Sequence, residues 1–377
     1  MASALSPKPV LFQPKTVGAV QLKHRVVQAP CTRVRNNKAH VPVIPLMKTY
    51  YEQRSRVPGT LLITEATLIA DEAGGLPHVP GIWNDEQVEA WKQITDAVHA
   101  NQSFIFLQLW ALGRAAVPAD IQGKGFPYVS ASPIPLSTNP PEAPRPRELS
   151  IQEIQKYVGL FGNAAKRAVA DAGFDGVEIH GANGYLVDQF LQDVSNKRTD
   201  EYGGSIEARS KFGLEVVDAV AKQVGAERTS IRLSPWSTYQ DMRMKDPMPQ
   251  FVHFVTELAK SHPNLAYIHL TEAAANGTPP SESESNDPLR EAWAPRPFIS
   301  CGGYTREAAI DVAEKKGDLI AFGADFIANP DLPYRLEKNL ALNPVDRSTY
   351  YVPGSEKGYI DYPFSEEFLK EENLSKL

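Results

Sequence analysis

Residues 150–181 read SIQEIQKYVGLFGNAAKRAVADAGFDGVEIHG, and two periodicities meet in them. Ser150 and Glu153 have capping-box spacing, so their side chains can satisfy free amides of a first helical turn. Ile154, Val158, Phe161, Ala165 and Ala168 then recur at helical spacing, and Gly173 is a natural left-handed stop. The apolar run GVEIHG at 176–181 follows at once, at strand length. A helix feeding directly into a short apolar strand is one unit of an alternating βα chain.

The unit recurs along the sequence. Strand candidates lie at 25–30, 60–66, 104–110, 176–181, 230–235, 266–272, 298–303 and 319–323. Their near-continuous apolar character points to parallel strands covered on both faces. A second sharply bounded helix runs from Ser205 to Gly225. Others fall near 84–100, 248–261, 305–316 and 331–340, with a poorer one around 42–56. Eight βα units predict a (β/α)₈ barrel forming one domain over 1–377. Residues 11–24 read as a hairpin closing its bottom. Long excursions follow the third strand (113–149) and the sixth (272–297), and 364–377 reads as a polar, exposed tail. A doubly wound sheet would carry a G-x-G-x-x-G after an early strand, and none is present.

Composition narrows the function classes. The 377 residues are 42% hydrophobic and 22% charged, with a net charge of -6. That gives no basic footprint for nucleic acid. No apolar run approaches the roughly 18 residues of a membrane span. Two cysteines, Cys31 and Cys301, are too few for a four-thiolate metal or iron–sulfur site. The chain ends in Ser375-Lys376-Leu377, a peroxisomal address, so a peroxisomal location is expected, with the cytoplasm as the alternative. Oligomeric state, monomer or homodimer, is open.

Reactive residues of such barrels lie at the C-terminal strand ends. The first strand leads to Pro30-Cys31-Thr32, the second ends at Ala66, and the third carries Gln108 and Trp110. The fourth delivers His180, then Asn183 and Tyr185. The fifth supplies Arg232, the seventh Gly302-Gly303, and the eighth Gly323 followed by Ala324. Singly, each has a bland reading: a capping threonine, a paired arginine, a turn glycine. Together they suit a heterocycle with a phosphate tail. Glycine turns after the last two strands let backbone N–H groups approach an anion. A glutamine offers both donor and acceptor to a pyrimidine-like edge. An arginine supplies permanent positive charge where a reduced ring becomes anionic. This is the chemistry of a flavin site. No second histidine or carboxylate follows His180 at ligand spacing, so a metal site is not expected.

The segment VEIHGANGYLVDQFLQDVSNKRTDEYGGSIEARSKF (177–212) resembles the signature of the old yellow enzyme family of FMN-dependent ene-reductases. QAPCTRVR (28–35), LQLWALGR (107–114), IRLSP (231–235), ANPDLPYRLEKNLALNP (328–344) and GYIDYP (358–363) match the same family in order. The resemblance implies FMN as cofactor, NADPH or NADH as hydride donor, and an α,β-unsaturated aldehyde or ketone as substrate. It implies that Thr32 bonds the flavin carbonyl, Gln108 the pyrimidine edge, and Arg232 the reduced ring. His180 and Asn183 would hold the substrate carbonyl, hydride would reach the β-carbon, and Tyr185 would protonate the α-carbon. Trp110, Tyr239 and Tyr351 would line the pocket. Two donors on a carbonyl oxygen stabilise a developing enolate, and a phenol is a protonated acid at neutral pH.

The match also has departures. Ala324 stands where the family usually has an arginine for the FMN phosphate, and Gly303 where an asparagine is common; looser FMN binding is the expectation. Asn183 separates the chain from plant oxophytodienoate reductases. HGANGYLVDQFLQD and the Pro-rich third loop resemble the fungal ergot-alkaloid branch acting on chanoclavine-I aldehyde, in which Tyr185 implies reduction rather than isomerisation. Two other classes fit parts of the pattern: a flavin-free phosphate-binding barrel lyase or isomerase, and a degenerate, non-catalytic barrel. The first leaves Gln108 and Arg232 unexplained.

Overall fold

A computed structural model describes residues 7–273 and 284–375. Residues 274–283, within the second long excursion, and the terminal Lys376 and Leu377 lie outside the described residues. Eight parallel strands close into a barrel: β1 (Val26–Gln28), β2 (Leu61–Ile63), β3 (Phe104–Trp110), β4 (Gly176–Gly181), β5 (Thr229–Leu233), β6 (Tyr267–Thr271), β7 (Phe298–Cys301) and β8 (Leu319–Phe322). Each pairs with its sequence neighbours, and β8 returns to β1 with Phe322 opposite Gln28. Seven fall wholly inside the segments that periodicity marks, and β5 begins one residue ahead of its segment, at Thr229.

The helices follow their local signals. Ser150 accepts from the Glu153 amide and Glu153 from the Ser150 amide, starting the helix Ile151–Lys166 with the expected capping box. That helix relaxes into a π turn, Arg167–Asp171, before Gly173 (φ 77°) reverses the chain. Helices Asp85–Ala100, Ile206–Val224, Met248–Ser261 and Arg306–Lys316 cover the barrel as expected. No helix among the described residues is long and apolar enough to cross a membrane.

The core has two layers. Phe161, Val216, Val217, Phe254 and Leu258 sit between helices and the outer strand faces, fully buried. Inside the barrel floor, Leu61, Ile63, Phe106, Tyr267 and Ile299 pack against Val17, Val20 and Leu22 of an antiparallel hairpin, Lys15–Val17 with Val20–Leu22. The hairpin sits at the N-terminal strand ends, where the Ala19 amide donates to the Glu227 carbonyl at 3.0 Å.

Both excursions carry more structure than their composition suggests. Residues 113–149 include a short helix, Pro118–Gly123, and a two-stranded parallel pair, Val129–Ser130 with Arg147–Glu148. After β6, the helix Asp287–Trp293 buries Leu289 and Trp293. The tail is mostly exposed, but it is not free. Its helix Glu366–Ser375 buries Phe368 edge-on to Tyr334 at 5.3 Å, and Arg56 pairs with Glu372. Phe364 and Phe368 stack at 5.5 Å, and the Arg56 guanidinium lies over both rings, so the tail is anchored where free exposure was expected.

Candidate active site

A cavity of about 550 Å³ opens at the C-terminal strand ends. Its floor and walls include Pro30, Cys31, Thr32, Ala66, Gln108 and Arg232. Trp110, His180, Asn183, Tyr185, Tyr239, Ala324 and Tyr351 complete the sequence-expected set on its lining. Gly302, Gly303 and Gly323 do not line it; the first two form the turn after β7, with φ of 156° and 70°. Val34, Leu76, Ile327 and Tyr350 line the cavity without any sequence signal pointing to them.

The turn after β4 sets the reactive groups. Asn183 (φ 56°) and Gly184 (φ 79°) both take left-handed backbone, and a Cβ on Gly184 would meet Gln240 and Met242 at 2.8 Å. The Gly184 amide donates to Asp188 Oδ2 at 2.8 Å, and the Asn183 amide to Ser234 Oγ, beyond β5, at 2.7 Å. Gln189 Nε2 braces the turn further through the Gly184 carbonyl at 2.7 Å. Burial pushes the Asp188 carboxyl up to about 7. Tyr185 then stands as the residue before the short helix Leu186–Leu191.

Three rings close on one another over the floor. Tyr185 meets Trp110 edge-on at 4.9 Å and His180 at 4.8 Å, while Trp110 and His180 lie nearly parallel at 6.4 Å. His180 Nδ1 lies 3.4 Å from the Ala182 amide, which donates to it. The ring proton therefore belongs on Nε2, leaving that nitrogen a donor. Burial, with Arg232 and His269 beside it, holds the imidazole well below its ordinary pKa, hence neutral. Burial raises the Tyr185 hydroxyl well above the ordinary phenol value, so it stays protonated. Tyr239 and Tyr351, 60% and 68% exposed, stand at the rim.

Arg232 is 9% exposed and faces no carboxylate within ion-pair distance among the described residues; its Nε has no hydrogen-bond partner and its Nη2 reaches only Cys301 Sγ at 3.9 Å. A buried cation without a counter-ion is a place for an anionic ligand. It is also the one Lys or Arg on the cavity lining among the described residues. FMN fits this donor set: an acceptor and donors at Thr32 and Gln108, and a fixed charge for a ring that gains electrons. The phosphate end is leaner. Ala324, first residue of the helix Ala324–Ala328, offers only its backbone.

The wall bearing Tyr350 and Tyr351 is lashed to the chain leaving β1. Arg35 donates to the Tyr350, Thr349 and Ser355 carbonyls at 2.7, 2.9 and 3.1 Å, and Arg33 to the Gly358 carbonyl at 2.7 Å. Arg33 also lies over the Tyr350 and Tyr359 rings, 5.2 Å from each. Glu65, between β2 and Ala66, accepts from the Arg33 amide at 3.4 Å, and burial pushes its carboxyl up to about 7.

The sequence carries the match to known proteins that this geometry leads one to expect. Residues 10–343 match the NADH:flavin oxidoreductase / NADH oxidase family. The chain is 50% identical to a chanoclavine-I aldehyde reductase of Penicillium roqueforti, covering 96% of this chain and 98% of that one. It is 46% identical to a probable inactive reductase of Epichloe festucae var. lolii, over 96% and 97%. The old yellow enzyme of Pichia sp. AKU4542 superposes with a TM-score of 0.88 at 38% identity, over 95% and 94%. The chain belongs to the NADH:flavin oxidoreductase / NADH oxidase family, as an oxidoreductase of old yellow enzyme type that uses FMN and a nicotinamide hydride donor.

Proposed function

We propose that the protein reduces the carbon–carbon double bond of an α,β-unsaturated aldehyde, and that chanoclavine-I aldehyde is its substrate. One observation carries the reaction class: a neutral His180 with its proton on Nε2, Asn183 beside it, and a protonated Tyr185 face one cavity. Bound FMN supplies hydride taken from the nicotinamide. The protein's own groups do the rest. His180 and Asn183 bind the carbonyl oxygen and stabilise the enolate that develops there, as donors in an oxyanion hole do. Tyr185 delivers the proton to the α-carbon. Trp110 holds the Tyr185 and His180 rings at fixed angles, so donor and clamp share one frame.

The alkaloid substrate is favoured by the relative of Penicillium roqueforti, which bears that activity in its name. The relative named as probably inactive makes a non-catalytic barrel the competing reading. Against it stand Tyr185 and the uncompensated Arg232. The test incubates purified protein with FMN, NADPH or NADH, and either chanoclavine-I aldehyde or cyclohexenone. A product two mass units heavier from both supports the proposal. Turnover of cyclohexenone alone removes the alkaloid substrate, and no turnover of either at saturating FMN removes the reductase reading.

We also propose a peroxisomal address in Ser375-Lys376-Leu377. A fluorescent protein fused ahead of the chain should give punctate fluorescence that becomes diffuse when these three residues are deleted. Diffuse fluorescence from the intact chain would refute it.

A further inference from the structure

At and beneath the cavity floor, four polar side chains, Gln108, Glu178, Arg232 and His269, occupy inward positions on four neighbouring strands. Strand register places Gln108 beside Glu178, and Arg232 beside both His180 and His269. Glu178 and His269 are fully buried. His269 Nδ1 lies 2.9 Å from Glu178 Oε2, and Gln108 Nε2 donates to Glu178 Oε1 at 2.7 Å. Cys301 Sγ closes the row against Arg232. Nothing in the reaction described above uses the Glu178–His269 pair, yet it is buried charge, which costs stability unless it is matched.

Two consequences follow from elementary hydrogen-bond chemistry. A carboxylate only accepts, so the Gln108 amide must turn its NH₂ toward Glu178, leaving its oxygen for the cavity. That oxygen can take a ring N–H and cannot donate. Second, Glu178 is the carboxylate of this row, and Arg232 is its uncompensated cation. If Glu178 stood alone, it would neutralise Arg232. Burial opposes charging either member of the pair, yet each holds the other ionised: Glu178 stays below its ordinary range and His269 above its own.

We propose that Glu178 and His269 are positioning residues for the flavin: His269 cancels the charge of Glu178 so that Arg232 faces the ring unneutralised, and Glu178 fixes Gln108 as an acceptor. The inference rests on FMN as the cofactor; failure of the unaltered protein to take up FMN would defeat that reading, not this one.

The test compares FMN affinity and midpoint potential at pH 7.5 in three variants. His269→Gln leaves the Glu178 charge uncancelled within the field of Arg232. Reduced FMN should then bind at least tenfold more weakly relative to oxidised FMN, a fall of about 30 mV for a two-electron couple. Glu178→Gln replaces an acceptor-only partner with an amide that can also donate, so the Gln108 amide is no longer fixed in one orientation. The substitution should weaken both redox states by about three- to tenfold, the size of a lost hydrogen bond, with the potential unchanged. The double variant Glu178→Gln/His269→Gln removes both charges, and its potential should return to that of the unaltered protein. A merely structural pair predicts a double variant no better than His269→Gln. That result, or an unmoved potential in His269→Gln, would overturn the charge-cancelling role. Unchanged affinity in Glu178→Gln would overturn the role assigned to it.

Discussion

Replacing Tyr185 with phenylalanine removes one oxygen and leaves the ring contacts to Trp110 and His180, at 4.9 and 4.8 Å, in place. The ring packing is kept, so stability should change by no more than about 1 kcal/mol, the worth of one hydrogen bond. The chemical loss is specific. A positioned proton donor contributes about 10²–10⁴-fold, so alkene reduction should slow by that factor, about 3–5 kcal/mol of barrier. Reduction of the enzyme by NADPH moves no proton from Tyr185 and should keep its rate. Stopped-flow absorbance resolves the two halves: bleaching of the flavin band with NADPH under anaerobic conditions, then its return on mixing with enal. Burial raises the Tyr185 phenol above its ordinary value, so its proton is retained throughout the neutral and mildly alkaline range. The alkene half-reaction of the unaltered protein should therefore show no loss of this acid up to about pH 10. Equal slowing of both halves, or an alkene step within about threefold of normal, would refute the assignment of Tyr185 as acid.

Three further outcomes are expected. Ala324→Arg adds a guanidinium at the cavity wall and should tighten FMN by about 1.5–3 kcal/mol in a fluorescence titration, with unchanged affinity counting against a bare phosphate end. Glu65→Gln mimics the neutral carboxyl that burial favours. Because the folded pKa of about 7 lies above the unfolded value of 4.5, the contribution of this group is present below about pH 4.5 and lost as pH rises through 7. Denaturant midpoints should accordingly show the variant losing about 3 kcal/mol less than the original between pH 4.5 and 8, and parallel profiles would contradict this. Arg35→Ala deprives the Thr349, Tyr350 and Ser355 carbonyls of a charged donor and should cost about 3 kcal/mol in urea unfolding while raising the enal KM; an unshifted midpoint would show that the C-terminal wall is held otherwise.

The fold was legible because each barrel strand is a short apolar run and the outer helices Ile151–Lys166 and Ile206–Val224 carry their own start and stop signals. Ser150, Glu153 and Gly173 are local devices, and local devices can be read locally. The helix Asp287–Trp293 was not legible, since only Leu289 and Trp293 face inward among Pro, Ser and acidic neighbours. The His180, Asn183 and Tyr185 cluster could be found because one turn holds it. Glu178 and His269 could have been found by strand phase: Glu178 and His180 share one face of β4, as Tyr267, His269 and Thr271 share one face of β6, so polar residues on the inward phase mark an occupied barrel interior. Tyr350 and the Arg33–Arg35 lashing had no such signal. Their partners lie some 315 to 325 positions away, a separation that no window of sequence spans.

The hairpin Lys15–Leu22 has a consequence for kinetics. Val17, Val20 and Leu22 stopper the far end of the barrel, and the reaction chamber, about 550 Å³ in volume, opens at the C-terminal strand ends. Nicotinamide and enal are expected to take turns in such a vestibule. The spent carrier must leave before the acceptor enters, so initial-rate plots should be families of parallel lines, and each reactant in excess should block the other at the threshold.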